Sequence, residues 1–206
     1  MDKTAAMELF HASLKNTIEE LERVDGQVDE TELLRAAQAI LQCEGKILVT
    51  GVGTSGAAAR KVAHSLSCIE FPAGYLHPGD ALHGASGTIS PGDLLILFSK
   101  GGKSEEINKL SEIAGRRGAL RLAVTESRDN PLGRSTELTL RIKIQRESDQ
   151  LGLLATASTL AVVAAFDALC NILMRERGFG EEAFAIIHPG GAVGEKLSDQ
   201  KRRRDD

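Results

Sequence analysis

The chain has 206 residues, of which 42% are hydrophobic and 26% are charged. This balance excludes a disordered or collagen-like chain. The formal net charge is −4 and aromatic residues make up only 3%, which argues against a basic surface for nucleic acid or anionic membranes and against a base-stacking surface.

Cysteine usage points to a reducing compartment. Cys43, Cys68 and Cys170 are widely spaced and form no CxxC pair, so neither a zinc site nor a disulfide framework is predicted. The first residues carry no apolar core of a signal peptide, and we expect a cytoplasmic protein.

Two helices are predicted before the first strand. Residues 4–24 carry apolar side chains at helical spacing, and residues 29–43 repeat the pattern with acidic residues at their start, which favours a helix N-terminus there. Residues 1–44 are therefore expected to form a helical appendage on the main domain.

Short apolar runs alternate with helical segments after residue 45. The runs cover residues 46–50, 93–98, 120–124 and 138–144, with a weak extra strand at 74–76. Continuous apolar runs are typical of strands buried on both faces, and the alternation predicts a parallel sheet. The expected fold is α/β: a three-layer α/β/α sandwich with a doubly wound, mostly parallel five-stranded sheet at 45–197 and a charged tail at 198–206.

The most apolar stretch, residues 151–174, is predicted to be a buried helix. It contains Asp167 and several hydroxyl-bearing residues, which a membrane span would place in the bilayer interior at high cost.

Two glycine-rich turns follow predicted strands. The first is Gly51-Val-Gly-Thr-Ser-Gly56 and the second is Ser99-Lys-Gly-Gly-Lys-Ser104. Glycine lets backbone N–H groups approach a phosphate, while hydroxyls and the following helix N-terminus add donors and positive partial charge. Tight turns alone would also explain one such loop, but two favour anion binding. The first loop also fits GxGxxG, so a dinucleotide oxidoreductase stays open as a third hypothesis.

Five ordered segments make the chain resemble a sugar isomerase (SIS) domain, and more narrowly the arabinose-5-phosphate isomerase family in a short form without CBS modules. The resemblance runs from about residue 10 to residue 197. Besides the two loops, it is carried by the segment His77-Pro-Gly-Asp-Ala-Leu-His-Gly84, by Glu147 with the LGL run 151–153 and residues 156–159, and by His188-Pro-Gly-Gly191 with Gly194.

The resemblance implies an aldose–ketose isomerase of sugar phosphates that works through a cis-enediol, as a homo-oligomer, typically a tetramer, with sites built across subunits. It implies a sugar phosphate as ligand, no metal or redox cofactor, and neither a nucleic acid nor a membrane as partner. The phosphate or sugar is expected at the two loops and the helix after Glu147, on Gly53, Thr54, Ser55, Ser99, Lys100, Gly101, Gly102, Lys103, Ser104 and Thr156.

Three residues are candidates for proton transfer. Glu147 is the candidate base, with a pKa that burial would raise towards working pH; otherwise it is a surface carboxylate beside Arg146. His188 is a candidate acid/base, since imidazole titrates near neutrality, or else it caps a turn. His83 would assist, with its ring oriented by Asp80, or the two would form a merely structural pair.

Two departures from the family pattern concern the loops. The family's first loop typically carries Lys where this chain has Thr54, and its second typically carries Glu where this chain has Lys103. We hypothesise that Lys103 takes over the anion-binding charge and that the substrate differs from arabinose 5-phosphate. The alternative is a non-catalytic module that senses a sugar phosphate.

Overall fold

A computed structural model describes residues 1–190 of the chain, and the predicted motif glycines Gly191 and Gly194 and the tail at 198–206 lie outside the described residues. The sheet has five strands: β1 (Ile47–Gly51), β2 (Ala73–Tyr75), β3 (Leu94–Phe98), β4 (Leu120–Thr125) and β5 (Leu138–Arg141). Their order is β2-β1-β3-β4-β5 and every pairing is parallel. The predicted fold class is confirmed.

Helices cover both faces of this sheet. They are α1 (Lys3–Gln27), α2 (Glu30–Leu41), α3 (Gly53–Ser67), α4 (Pro78–Leu82), α5 (Glu105–Arg116), α6 (Pro131–Ser135), α7 (Ala157–Arg177) and α8 (Glu181–Ile187), with a 3₁₀ turn at Ala85–Thr88. One apolar core lies between the sheet and α2, α3 and α7, and the second lies between the sheet and α4, α5 and α6. β1 and β3 are buried along their whole length, as their apolar runs predict.

α7 is long and apolar enough to span a membrane by length and composition alone, and it is the one such helix in the described part of the chain. It packs against α1, α2 and α3, and Phe166, in its middle, is fully buried with its ring 5.3 Å from that of Phe98. These contacts agree with a packed helix over part of the predicted stretch, but the helix begins only at Ala157, residues 151–154 are exposed, and a third (33%) of its apolar window is buried.

The long helix α1 packs on α7 and is fastened to the segment that follows β5. Ser13 donates to the Ser148 carbonyl at 2.9 Å, Asn16 donates to the Ser148 hydroxyl at 2.9 Å, and Thr17 shares a hydrogen bond of 2.7 Å with that hydroxyl. The residue before Ser148 is Glu147, so α1 helps to fix the position of this candidate base.

Candidate active site

The two glycine-rich loops lie side by side at one edge of the sheet. β1 and β3 are hydrogen-bonded neighbours with Gly51 in register with Phe98, so the segments after these strands flank a common crevice. The strand order reverses between β1 and β3, and such a reversal is the usual ligand site of an open α/β sheet.

Glycines in the first loop permit a close approach of strand and helix. A Cβ on Gly51 would lie 2.7 Å from the Ser55 carbonyl carbon, and one on Gly56 would lie 2.7 Å from the Gly51 oxygen. Gly53 has a φ of +58°, which favours glycine. Gly53 and Thr54 are exposed at the rim, while Ser55 is half-buried.

The second loop turns back on itself and is tied to the end of β4. The Gly102 N–H donates to the Ser99 carbonyl at 3.0 Å, and the hydroxyls of Ser99 and Ser104 lie 3.1 Å apart. Gly102 has a φ of +66°, and a Cβ there would collide with the amide oxygen of Asn130. The loop is thereby held with two hydroxyls together at the start of α5.

A small cleft of about 60 Å³ opens between the loops and the first turn of α7. Apolar walls from β3, β4 and α7 surround a few polar groups, and the only cation among the lining residues of the described chain is Lys100. The residues that line it are Ser55, Ala58, Phe98, Ser99, Lys100, Val124, Thr125, Ile142, Ala155, Ser158, Thr159 and Val162. Hydroxyls and one ammonium in a small cleft suit an anionic group such as a phosphate.

Among the predicted phosphate ligands, Ser55, Ser99 and Lys100 are therefore brought together. Lys103 and Gly101 are exposed, and Lys103 is outside the cleft lining described for residues 1–190. The predicted transfer of anion-binding charge to Lys103 stays a prediction, while the geometry favours Lys100 as the nearer cation.

The carboxylate of Glu147 is bonded to two residues that line the cleft, Lys100 and Ser158, and its side chain is only 4% exposed. Five donors reach it: the Lys100 ammonium at 2.7 Å and the Ser158 hydroxyl at 2.5 Å on Oε1, and the Thr156 N–H, Ser158 N–H and Thr156 hydroxyl at 2.9, 3.1 and 3.2 Å on Oε2. Glu147 thus caps the N-terminus of α7.

Burial opposes the charge on Glu147, but hydrogen bonds from Lys100, Ser158 and the backbone of Thr156 outweigh it and lower the pKa of this carboxyl to about 2. The expectation that burial raises its pKa was wrong, because donors converge on the charged form. Its catalytic role stays a prediction.

Thr156, a predicted phosphate ligand, directs its hydroxyl elsewhere in this structure. The hydroxyl accepts the Ser148 N–H at 2.8 Å and donates to Glu147. Thr156 therefore orders the segment around the carboxylate, and direct contact with a phosphate would require these bonds to open.

A second carboxylate, Glu126, was missed by the sequence reasoning. It follows the last residue of β4, and its Oε1 lies 3.9 Å from the Lys100 ammonium. Burial, the largest effect, raises the pKa of Glu126, against the lowering influence of Lys100 and Lys143. Its position directly after a buried strand was the available signal.

The histidines before α5 are arranged differently from the expectation. Asp80 lies 3.8 Å from His77, not paired with His83, and the His77 ring accepts the Asp80 N–H at 3.4 Å at the start of α4. The predicted orientation of His83 by Asp80 was wrong, because His77 at the helix N-cap is the nearer partner. His83 is exposed just after α4.

His188 lies towards the far end of α7, away from Glu147 of the same chain. Arg177, at the end of α7, donates to the Glu70 carbonyl, and beyond it Phe179, Phe184 and His188 form a run of neighbouring rings. A helix of this length spans about 30 Å. Glu147 is bonded to its first turn and the ring run that contains His188 follows its last turn, so the two side chains are on the order of 20 Å apart. The His188 ring stacks on Phe184 at 4.0 Å, and its buried Nδ1 has no partner among the described residues.

No group of three or more His, Cys, Asp or Glu side chains arranged for a metal ion occurs within residues 1–190. The polar groups of the cleft are hydroxyls, one ammonium and the two nearby carboxylates.

Comparison with known proteins gives a family match over most of the chain. The family model described as SIS domain matches residues 40–172. Arabinose 5-phosphate isomerase KdsD of Yersinia pestis is 37% identical over 179 residues, which are 87% of this chain and 54% of that protein. Arabinose 5-phosphate isomerase GutQ of Escherichia coli K12 is 37% identical over 178 residues, covering 85% and 56%. The chain spans about half the length of these two relatives.

Solved structures are similar over nearly the whole chain. A candidate sugar-phosphate isomerase from Listeria monocytogenes is 38% identical with a TM-score of 0.90, covering 92% of this chain and 100% of that one. An Escherichia coli CFT073 protein in complex with A5P is 28% identical with a TM-score of 0.87, covering 92% and 100%.

Proposed function

This chain belongs to the SIS domain family, and from that premise we propose that it is an aldose–ketose isomerase of sugar phosphates. The observation that carries the proposal is the cleft at the strand-order reversal, which is lined by Ser55, Ser99 and Lys100, with Lys100 paired to Glu147. The names of the similar proteins, several of them arabinose 5-phosphate isomerases, support the same reaction class.

The phosphate would bind against Ser99 and Ser104, beside Lys100. The two hydroxyls lie together at the N-terminus of α5, where free backbone N–H groups also favour an anion. Ser104 occupies the N-cap position but its side chain caps no N–H, so its hydroxyl is available to a ligand. Anchoring the phosphate here leaves the sugar carbons towards the carboxylates.

The reaction needs a base next to the substrate and donors for the enediolate oxygen. A carboxylate removes the proton on the carbon beside the carbonyl, a cis-enediol forms, and the proton returns to the neighbouring carbon. Lys100 and the cleft hydroxyls would stabilise the developing oxyanion. His188 is a proposed proton-transfer group, with His83 assisting, and the base is a carboxylate beside Lys100, of which Glu147 is the one that the sequence predicts.

Participation of His188 requires a second copy of the chain. Within one chain His188 is on the order of 20 Å from Glu147, so we propose that it reaches the cleft of a neighbour in a homo-oligomer instead. Apolar side chains exposed on α1 and around the LGL run suit such contacts; they include Phe10, Leu14, Ile18, Leu151, Leu153 and Leu154. A dimer or tetramer with shared sites is therefore part of the proposal.

The substrate is proposed to be a pentose or hexose phosphate in the cytoplasm. Arabinose 5-phosphate is the first candidate because of the names of the relatives. Thr54 and Lys103, which depart from the family's loop pattern, favour testing other sugars beside it.

A non-catalytic sensor is the second candidate function. The observation that favours it is the low pKa of Glu147, about 2, because so stable a carboxylate is a weak base. A sensor would bind sugar phosphates in the same cleft without moving protons.

Deuterium exchange separates the two functions. The protein is incubated in deuterated water with a panel of four- to six-carbon aldose and ketose phosphates, and incorporation at C2 or C1 is followed by NMR together with interconversion. An isomerase exchanges hydrogen and converts at least one sugar, and Glu147→Gln abolishes both. Calorimetric binding with no exchange on any sugar would establish the sensor.

A further inference from the structure

Two carboxylates, not one, face the cation of the cleft. The Lys100 ammonium lies 2.7 Å from Oε1 of Glu147 and 3.9 Å from Oε1 of Glu126. Glu126 is held there by its own backbone, because its N–H donates to the Lys100 carbonyl at 3.0 Å. The neighbouring Thr125 hydroxyl donates to the same carbonyl at 2.9 Å, so two hydrogen bonds join the end of β4 to the second loop.

The two carboxylates differ in how far a substrate could reach them. The side chain of Glu147 is 4% exposed, and both of its oxygens are covered by Lys100, Ser158 and the first turn of α7. The side chain of Glu126 is 27% exposed, and Thr125 beside it lines the cleft. A base must touch the carbon that it deprotonates, and of these two carboxylates beside the cleft Glu126 is the more exposed.

We propose that Glu126 is the carboxylate that takes and returns the proton, while Glu147 holds Lys100 and the start of α7 in place. This assignment rests on the proposed isomerase function. The Glu126 carboxylate would remove the proton from the carbon beside the carbonyl, the C–H electron pair would form the enediol double bond, and the carbonyl oxygen would take a proton from the Lys100 ammonium. Glu126 would then return its proton to the former carbonyl carbon while the neighbouring hydroxyl gives its proton to Lys100 and becomes the new carbonyl, which restores both side chains without an oxidant or reductant.

Charges around Glu126 come from two neighbouring segments. Lys100 faces it from the loop after β3, and Lys143 and Glu147 face it from the segment after β5. The two lysines lower its pKa, while burial and Glu147 raise it, with a net rise. Such a carboxyl is a better base near neutral pH than Glu147, whose pKa is about 2.

This difference makes the pH profile diagnostic. An enzyme whose base has a raised pKa loses activity as the pH falls through that pKa. The acidic limb of the pH–activity profile therefore lies above the ordinary pKa of glutamate. Lys143 is exposed, and Lys143→Gln removes a positive charge that faces Glu126, which moves the limb upward by about a few tenths of a pH unit. If Glu147 were the base, its pKa of about 2 would place the acidic limb below the pH range in which this shift is measured.

The experiment compares Glu126→Gln and Glu126→Asp with the wild type, using a sugar phosphate that the wild type exchanges. We expect Glu126→Gln to lower kcat by about 100-fold or more with KM within about threefold. Glu126→Asp should retain part of the activity. Inorganic phosphate binding, measured by calorimetry, should be unchanged and shows that the cleft is intact.

Lys143→Gln is read at saturating substrate, because the phosphate ester itself titrates near pH 6. Lys109→Gln, an exposed lysine that pairs with Glu105 on α5, is the matched charge control and should leave the limb in place. If the wild type exchanges hydrogen but Glu126→Gln keeps its kcat and the acidic limb of its pH profile, the role of Glu126 is overturned. The isomerase function would still stand. No exchange by the wild type on any sugar phosphate would overturn both.

Discussion

The ammonium of Lys100 and the carboxylate of Glu147 lie 2.7 Å apart, although 46 residues separate them in the chain. The pair joins the loop after β3 to the start of α7, because Glu147 also accepts the N–H groups of Thr156 and Ser158. One carboxylate therefore fixes both a cation at the cleft and the helix that forms its wall.

Acid stability should report this arrangement. The pKa of Glu147 falls from 4.5 to about 2 on folding, so its ionised form stabilises the fold above about pH 4.5, and this contribution disappears as the pH drops towards 2. The shift corresponds to roughly 3 kcal/mol. Glu147→Gln should lower stability at pH 7 and flatten its pH dependence in this range, as measured by urea unfolding.

The matched control for acid stability is Glu112→Gln, an exposed carboxyl on α5. It should leave the free energy of unfolding and its pH profile unchanged. An unchanged slope between about pH 5 and 2 in Glu147→Gln would mean that this carboxylate is not the stabilised one.

The two lysines of the second loop should differ in ligand binding. Lys100 lines the cleft and Lys103 is exposed outside it. Lys100→Met should weaken the affinity for inorganic phosphate and sugar phosphates by about tenfold or more, since charge-assisted hydrogen bonds contribute roughly 1.5–3 kcal/mol. Lys103→Met should change it by less than about threefold, through a screened long-range charge.

Calorimetry at two salt concentrations measures both effects, and thermal unfolding separates lost binding from lost folding. If Lys103→Met weakened binding more than Lys100→Met, the hypothesis that Lys103 carries the anion-binding charge would be favoured instead.

The sequence predicted the centre of the sheet well because β1, β3 and most of β4 are buried and follow continuous apolar runs. β5 is the exception: it was expected to reach residue 144 but ends at Arg141. β5 is an edge strand, paired with β4 alone, so Ile142 and Ile144 are buried by packing without extending the strand.

The candidate site was predicted in part. Loop composition was enough to find Ser55, Ser99 and Lys100, since the residues that follow parallel strands collect at one edge of the sheet. The pKa of Glu147 was not predictable, because its donors come from Lys100 and Ser158, which only the fold brings together. Glu126 was missed because it lies in a polar segment typical of a turn, and its importance depends on the pairing of β3 with β4.

Gly102 should be the glycine of the second loop that cannot be replaced. Its φ is +66°, and a Cβ would collide with Asn130, whose amide oxygen accepts the Gly133 N–H at 2.8 Å. Gly102→Ala should lower the free energy of unfolding by about 2–3 kcal/mol, from backbone strain and the displaced Asn130. It should also weaken phosphate binding, because Ser99 and Ser104 lose their mutual position.

Gly101→Ala is the matched control, since no atom lies within 4 Å of the Cβ it would introduce. It should fold with nearly wild-type stability in the same urea titration. Equal stability of the two variants would show that the loop relaxes around Asn130.

Shared sites can be tested by mixing two inactive variants. Glu147→Gln and His188→Ala should each lose isomerase activity. Because the His188 ring lies at the far end of α7 from Glu147, His188 would serve the cleft of a neighbouring copy. If subunits are exchanged by mild denaturation and refolding, a mixed dimer contains one site with both changes and one with neither. An equal mixture should therefore regain about a quarter of the wild-type activity per site, whereas sites contained within single chains would regain none. Each variant refolded alone is the control, and light scattering confirms that the mixture assembles.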